Sequence, residues 1–169
     1  IGQGNVGIDI GTSTIAYSSS TDVKILELAD NVQNIENEKR RLLRKMDRSR
    51  RATNPNNYNE DGAIKKQGSK KVTWNKSNHY IKYQNELKEL NRKQADVRKY
   101  QHECLANQII SLGDNIYVET MNFSGLAKKS TKTEKNEQGR FKKKKRFGKS
   151  IANRAPAMLL EIIDRKLSY

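Results

Sequence analysis

The sequence predicts an α/β protein in which a small sheet is combined with long helices. Near the start of the chain, Val6, Ile8 and Ile10 alternate with small or polar residues, which is the two-residue period of a half-buried strand. Residues 78–112 instead repeat their apolar side chains at helical spacing, and Gly113 follows them as a natural helix end. The same patterns predict further strands at 14–20, 23–28 and 115–120 and helices at 34–53 and 155–167.

Composition and charge indicate a polyanionic partner. The chain has 169 residues, enough for one domain with a long arm, and a net charge of +15. Such an excess of positive charge is typical of nucleic-acid-binding proteins. The single cysteine, Cys104, excludes an intramolecular disulfide and a CxxC zinc site within this sequence. The sequence shows no signal peptide, lipidation motif or long apolar run, so we expect a cytoplasmic protein without a membrane partner.

The first predicted strand carries a carboxylate in an unusual place. Asp9 lies on the face opposite the aliphatic residues, and Gly7 and Gly11 on either side of it leave room for a ligand to approach. Residues 12–14 then supply hydroxyl groups that suit a tight turn or a phosphate contact. Because an unpaired buried carboxylate is costly, we interpret Asp9 as the ligand of a metal ion or of a metal-bound phosphate. The alternative is a solvated aspartate on a surface strand.

Residues 34–57 predict a strongly basic helix that ends at an Asn-Pro step. Four of its arginines recur at spacings of four, four and three residues, which places them along one stripe. Leu42, Leu43 and Met46 lie elsewhere on the helix and are expected to anchor it. A solvated basic face is the alternative to nucleic-acid binding. The four regularly spaced arginines are Arg40, Arg44, Arg48 and Arg51, and the expected nucleic-acid contacts are Arg40, Arg41, Arg44, Arg48, Arg50 and Arg51.

A second basic segment, residues 124–149, is rich in Lys, Gly, Ser and Thr and predicts a loop. Phe141 and Phe147 bracket its KKKKR run, and aromatic rings among basic residues suit stacking on bases or riboses. A solvated loop is the equally weighted alternative. The run contributes Lys142, Lys143 and Arg146 to the expected nucleic-acid contacts.

The strand at 115–120 carries a second candidate carboxylate, Glu119. If this strand is the neighbour of the one that carries Asp9, both carboxylates project from the same edge of a sheet and can share divalent cations. Such hard oxygen ligands suit Mg²⁺ or Mn²⁺. Two ions about 4 Å apart can activate a water and stabilise the leaving oxygen of a phosphodiester. The distance between the two residues in sequence fixes no geometry, so this pairing is an expectation.

Four parts follow one another along the chain: VGIDIGTSTIAY, the basic KRRLLRKMDRSRRATNPNNYNEDG, a long helix, and IYVETMNFSGL. This order resembles the RuvC-like nucleases encoded by transposons, and among them the TnpB-like (OrfB-type) RNA-guided endonucleases of bacteria. The resemblance spans residues 6 to about 167. It implies a ribonuclease H-like (RuvC-like) mixed sheet, in which Asp9 and Glu119 are the catalytic residues of the first and second RuvC motifs and bind a pair of Mg²⁺ or Mn²⁺ ions.

The resemblance also implies partners and a division of the chain. The arginine-rich helix would be a bridge helix that lies against a guide RNA, while base pairing with that RNA reads the target DNA. The first RuvC-like segment would be residues 1–33, the bridge helix 34–57, and a further RuvC-like segment with the long helix and the second motif 58–169.

The chain departs from this family in one respect. The family has a third catalytic aspartate in a DxxAA-type motif and usually a zinc ribbon before it, and this sequence has neither. Asp164 falls in a predicted amphipathic helix, and we do not assign it the missing role. We therefore expect the fold to be incomplete at its C-terminal end, with a further polypeptide segment supplying the third carboxylate.

Two other interpretations fit parts of the sequence. The GIDIGT stretch is also similar to the first phosphate-binding turn of actin-like ATPases and sugar kinases, although the second phosphate loop and adenosine motif of those enzymes are not visible. A non-catalytic RNA- or DNA-binding protein would need the arginine helix and the KKKKR run, but it would not need Asp9 or Glu119.

Overall fold

A computed structural model describes residues 2–65, 72–128, 131, 133–141 and 147–168. It confirms an α/β protein with a four-stranded mixed sheet and a long helix. The strands are β1 (Asn5–Ile10), β2 (Thr14–Ser18), β3 (Val23–Glu27) and β4 (Asn115–Val118). The helices are α1 (Glu36–Thr53), α2 (Asn78–Leu112), α3 (Phe123–Ala127), α4 (Gly148–Arg154) and α5 (Pro156–Leu167). No described helix has an apolar stretch long enough to cross a bilayer.

The chain divides into two compact units. Ile1–Val32 and Asp96–Tyr169 form the sheet unit, and Gln33–Ala95 form the arginine-helix unit. In the sheet unit the strand order is β3-β2-β1-β4, with β1 antiparallel to β2, β2 antiparallel to β3, and β1 parallel to β4. One face of the sheet forms the core together with the second half of α2, α3 and α5. The core residues are Val6, Ile8, Ile10, Ile15, Tyr17, Leu28, Ala106, Ile109, Phe123, Leu159, Ile162 and Ile163.

The start of β1 is fixed to the start of β4 by backbone contacts at two glycines. The Gly4 amide donates to Asp114 Oδ1 at 3.0 Å, and the Asn115 amide donates to the Gly4 carbonyl at 3.0 Å. Gly113 is buried against the same carbonyl, and a Cβ at that position would lie 2.5 Å from the Gly4 oxygen. Only glycine therefore permits this approach. The contact sets the register in which Val6 pairs with Ile116.

A buried histidine fastens the junction between α4 and α5. His102 Nε2 donates to the Arg154 carbonyl at 2.7 Å, while Nδ1 is buried without a hydrogen-bond partner. Burial lowers the pKa of His102 below its usual value, because a proton on the ring would place a charge in the core. The Arg154 guanidinium in turn donates to the Ala29 carbonyl, so the junction is joined to the chain that follows β3.

The arginine-helix unit is closed by a buried asparagine at the end of α1. The Asn54 side chain donates to the Arg50 carbonyl at 2.9 Å and to the Asn75 carbonyl at 2.9 Å, and it accepts from the Asn75 amide at 2.8 Å. These bonds hold the loop that returns towards α2 and confirm the predicted helix end. Leu42 is buried as expected, whereas Leu43 is 47% exposed and does not anchor the helix.

Two short helices, α3 and α4, each lie partly in the segment 124–149 that was expected to be a loop. Asn122 begins α3 by accepting a hydrogen bond from the Gly125 amide at 2.8 Å. Gly148 begins α4, where a Cβ would lie 3.0 Å from the Ala127 carbonyl oxygen. Both helices depend on such contacts, and neither is long enough to show a helical period.

The Gly113 contact predicts an unequal response of two glycines to the same substitution. Gly113→Ala should lower the free energy of unfolding by about 1–3 kcal/mol, because the new methyl group meets backbone that cannot rotate away. Gly7→Ala, in the neighbouring strand, has open space around its Cβ and should change stability by less than about 0.5 kcal/mol. Urea denaturation of both variants measures the difference, and equal losses would contradict the proposed role of Gly113.

The buried His102 predicts acid sensitivity. Its pKa in the folded protein lies below the value of about 6.5 expected in the unfolded chain. As the pH falls through about 6.5, the unfolded chain takes up the proton first, so the stability contributed by neutral His102 is lost towards lower pH. The Tm of the native protein should therefore fall more steeply between pH 7.5 and 5.5 than that of His102→Gln. Parallel Tm profiles would show that His102 does not titrate on unfolding.

Candidate metal centre and nucleic-acid interface

The strand that carries Asp9 is the direct neighbour of the strand that precedes Glu119. Ile8 of β1 pairs with Val118 of β4, and continuing this parallel register by one residue sets Glu119 beside Asp9. Residues in register on parallel strands share a face of the sheet, here the face opposite the core. Both residues are exposed. The sheet topology therefore places the two carboxylates next to each other, at the C-terminal ends of neighbouring strands.

Asp9 is held between buried residues, and Glu119 has a buried residue on its C-terminal side. Asp9 lies between Ile8 and Ile10, which are 5% and 1% exposed. Glu119 follows β4 directly and precedes Phe123, which is 8% exposed and packs in the core. Each carboxylate thus projects from backbone that is anchored within a few residues.

The turn after Asp9 is also fixed by hydrogen bonds. The Gly11 amide donates to the Thr14 carbonyl at 2.9 Å, and Ser150 Oγ of α4 donates to the Thr12 carbonyl at 3.0 Å. The Ser13 carbonyl accepts from the Leu28 amide at 2.8 Å. The hydroxyl-bearing turn therefore has a defined backbone next to the carboxylates.

The electrostatic setting leaves both carboxylates available to a cation. Within the described residues, neither Asp9 nor Glu119 forms an ion pair or a side-chain hydrogen bond, although the chain has 34 lysines and arginines. Their oxygens fit Mg²⁺, which is often held by one or two carboxylates and completes its shell with water and phosphate oxygens. The described part of the chain has no cluster of three or more His, Cys, Asp or Glu side chains suited to a metal ion.

The arginines of α1 fall into two groups. The first group, named here the arginine stripe, is exposed and lines a shallow groove of about 380 Å³ together with Asn37. None of its guanidinium groups forms an ion pair with a described carboxylate. The stripe therefore presents uncompensated positive charge along the helix. Its members are Arg40, Arg41, Arg44 and Arg48.

The second group, Arg50 and Arg51, is held within the unit. Asp47 accepts a hydrogen bond from Arg50 at 2.6 Å and from Arg51 at 2.8 Å. The bond from Arg51, with a smaller contribution from Arg50, lowers the pKa of Asp47 against a modest effect of burial. The two guanidinium groups also lie over the rings of Trp74 and Tyr58, at 5.1 Å and 4.7 Å from their centroids. These arginines therefore fasten the loop, and their expected contacts with nucleic acid stay a prediction.

The spacing of Asp47 offered a signal for this difference. Asp47 precedes the two arginines by three and four residues, which is the spacing of neighbours on a helix. Part of the expected second basic patch, namely Lys142, Lys143 and Arg146, lies outside the described residues. Of its flanking rings, Phe141 is 71% exposed and has Lys135 Nζ 5.2 Å from its centroid.

A second cleft of the arginine-helix unit is absent from the sequence predictions. It involves Lys45 and the rings of His79 and Tyr83, which lie on α1 and on the first turns of α2. The aromatic residues are four positions apart on α2, which is the only sequence signal for this cleft.

Comparison with models of known protein families and with curated proteins finds no match for this chain.

The arginine stripe predicts a salt-sensitive interaction with nucleic acid. Neutralising Arg40, Arg44 and Arg48 together, as Arg→Gln, should weaken binding to a DNA duplex and reduce the slope of log K against log salt by about two to three. A matched control removes three charges that are already paired with carboxylates, through Lys24→Gln, Arg165→Gln and Lys166→Gln. Fluorescence anisotropy titrations at several salt concentrations measure both slopes. Equal slopes in the two variants would show that the stripe is only a solvated face.

Proposed function

We propose that the chain is the RuvC-like portion of a TnpB-like RNA-guided DNA endonuclease that hydrolyses phosphodiesters with Mg²⁺ or Mn²⁺. The observation that carries this proposal is the parallel pairing of β1 with β4, whose register leads Asp9 and Glu119 to adjacent positions. The sheet order and the position of the carboxylates are compatible with a ribonuclease H-like fold. The uncompensated arginine stripe supports a nucleic-acid substrate.

In this proposal Asp9 and Glu119 hold the metal ions from one edge of the sheet. When bound, the ions would supply Lewis-acid activation of a water and stabilisation of the leaving oxygen. The two carboxylates would position the scissile phosphate, because that phosphate completes the ligand shell of ions that the protein only partly encloses. The defined backbone of residues 11–14 next to Asp9 would limit how the nucleic-acid strand approaches.

The arginine-helix unit would bind the guide RNA and the RNA–DNA duplex through their backbones. Arg40, Arg41, Arg44 and Arg48 lie along one helix and have no described carboxylate partner, so their charge is free to pair with phosphates. Binding of this kind follows the shape and charge of the duplex and leaves sequence recognition to base pairing. Arg50 and Arg51 would support the helix end instead.

A third carboxylate would complete the site from a further polypeptide segment. Two carboxylates alone supply few of the ligands that a pair of Mg²⁺ ions takes. Asp164 is exposed on α5, and we do not assign it to the site.

A non-catalytic nucleic-acid-binding protein is the second candidate. It is favoured by the unpaired guanidinium groups of the arginine stripe, which can bind a polyanion without any carboxylate site. The two candidates differ in what Asp9 does, because binding alone gives no role to a carboxylate beside a polyanion. Thermal stabilisation by ATP would instead favour the actin-like ATPase.

The metal site predicts a loss of cleavage without a loss of binding. Asp9→Ala or Glu119→Ala should reduce Mg²⁺-dependent cleavage of guide-complementary DNA below detection, because either change removes one of the two carboxylates that would hold the ions. The assay uses the completed enzyme, with its guide RNA and the segment that supplies the third carboxylate. Affinity for the guide RNA should stay within about twofold of the native value.

Asp164→Asn is the matched control, since it removes a carboxylate that the proposal leaves outside the site. It should cleave at the native rate. Native cleavage by either Asp9→Ala or Glu119→Ala would refute the catalytic assignment and favour the non-catalytic candidate.

A further inference from the structure

A second cleft lies on the arginine-helix unit, between the later turns of α1 and the first turns of α2. It has a volume of about 440 Å³, which is within the range of small-molecule sites. Its walls combine cations, hydroxyl groups and aromatic rings within one unit of the chain. The lining residues are Lys45, Arg48, Ser49, Ala52, Thr53, Ser77, His79 and Tyr83.

The aromatic wall has the form of a stacking surface. The rings of His79 and Tyr83 are nearly parallel, with planes 25° apart and centroids 6.5 Å apart. His79 is exposed and Tyr83 is half-buried, so both rings are accessible from the cleft. A planar base can therefore stack on this wall.

The α1 side of the cleft supplies positive charge next to the aromatic rings. Lys45 Nζ lies 5.1 Å from the centroid of the Tyr83 ring, and Arg48 is exposed at the cleft. Neither cation forms an ion pair with a carboxylate of the described residues. An anionic group beside the ring would thus meet two unneutralised cations.

The floor of the cleft is fixed by hydroxyl groups. Ser49 Oγ of α1 and Ser77 Oγ are 2.7 Å apart and share a hydrogen bond. Ser77 Oγ also accepts from the Tyr80 amide at 3.1 Å. These bonds hold the cationic wall against the aromatic wall before a ligand binds, which reduces the ordering cost of binding.

From this combination we propose that the cleft binds one unpaired nucleotide of single-stranded nucleic acid. The base stacks on the Tyr83–His79 wall, and the adjoining phosphate pairs with Lys45 and Arg48. Ring stacking together with backbone cations is the chemistry of sequence-tolerant single-strand binding. The proposal rests on the nucleic-acid-binding part of the proposed function and adds to it a preference for unpaired over paired bases. Cleavage and the Asp9–Glu119 pair play no part in it.

The test uses a short oligonucleotide with a central 2-aminopurine, whose fluorescence is quenched when the base stacks. The complete chain is titrated with this probe as single-stranded RNA, as single-stranded DNA and as a blunt duplex. The native protein should quench the unpaired probes at saturation and leave the duplex unchanged. The single strand that is quenched more identifies the sugar that the cleft accepts.

Two groups of variants locate the quenching. His79→Ala and Tyr83→Leu should abolish the quenching and weaken single-strand affinity about tenfold, a typical effect for one base–aromatic stack. Tyr83→Phe keeps the ring and should retain both. Tyr80→Leu is the matched control. The Tyr80 ring also lies near a lysine, with its centroid 6.0 Å from Lys76 Nζ, but it does not line the cleft. His79→Ala alters an exposed side chain, so the result does not depend on whether Tyr83→Leu folds fully.

Unchanged quenching in both His79→Ala and Tyr83→Leu would overturn the proposal, as would an equal loss of duplex and single-strand affinity in these two variants. The double variant Arg40→Gln, Arg44→Gln should lower affinity for all three probes. At saturation it should still quench the single-stranded probes as fully as the native protein does. If instead the chain binds none of the probes, the nucleic-acid-binding part of the proposed function also fails. If only the cleavage assay fails, the cleft proposal stands.

Discussion

The close approach of Gly113 to the Gly4 carbonyl is the constraint on which the sheet and its candidate site depend. This approach lets the Asn115 amide reach Gly4 and starts β4 at the same level as β1. In a strand, a shift of one residue exchanges the two faces. A larger residue at position 113 would strain the backbone at the point that sets the register of β1 and β4, and with it the adjacent positions of Asp9 and Glu119. A glycine that serves as a helix end thus also aligns two carboxylates that lie far apart in the sequence.

Asp47 makes the two ends of α1 differ, because it pairs with the last two arginines and leaves the earlier ones exposed. Asp47 forms ion pairs with both Arg50 and Arg51, and these two guanidinium groups lie against the rings of Trp74 and Tyr58, so this end of the helix holds the following loop. The preceding arginine stripe has no comparable acid among the described residues. The same residue type therefore stabilises the unit at one end of the helix and remains available to a polyanion along the rest.

Local patterns predicted the regular elements well, because alternation and helical spacing are properties of neighbouring residues. The sequence did not show that β1 and β4 are neighbours, because the backbone contact that aligns them joins two glycines that are far apart in the chain. The helices α3 and α4 were missed because each is fixed by tertiary contacts, such as the Gly148 approach to Ala127. The pairing of Arg50 and Arg51 could have been predicted from the position of Asp47, but the sequence alone did not show that Trp74 lies against Arg50 and Tyr58 against Arg51.

The described sheet has two open edges, and both carry large apolar side chains. On β3, Val23 and Ile25 are 70% and 77% exposed, and on β4 Tyr117 is 63% exposed. Unpaired edges of this kind are templates for aggregation, which Lys24 in the middle of β3 opposes. The net charge of +15 adds a general repulsion between copies, but at 0.1 M salt that repulsion extends only about 10 Å. Added salt should therefore have two effects on the purified protein. It weakens binding to polyanions, and it reduces the repulsion that opposes edge-to-edge aggregation of the sheets.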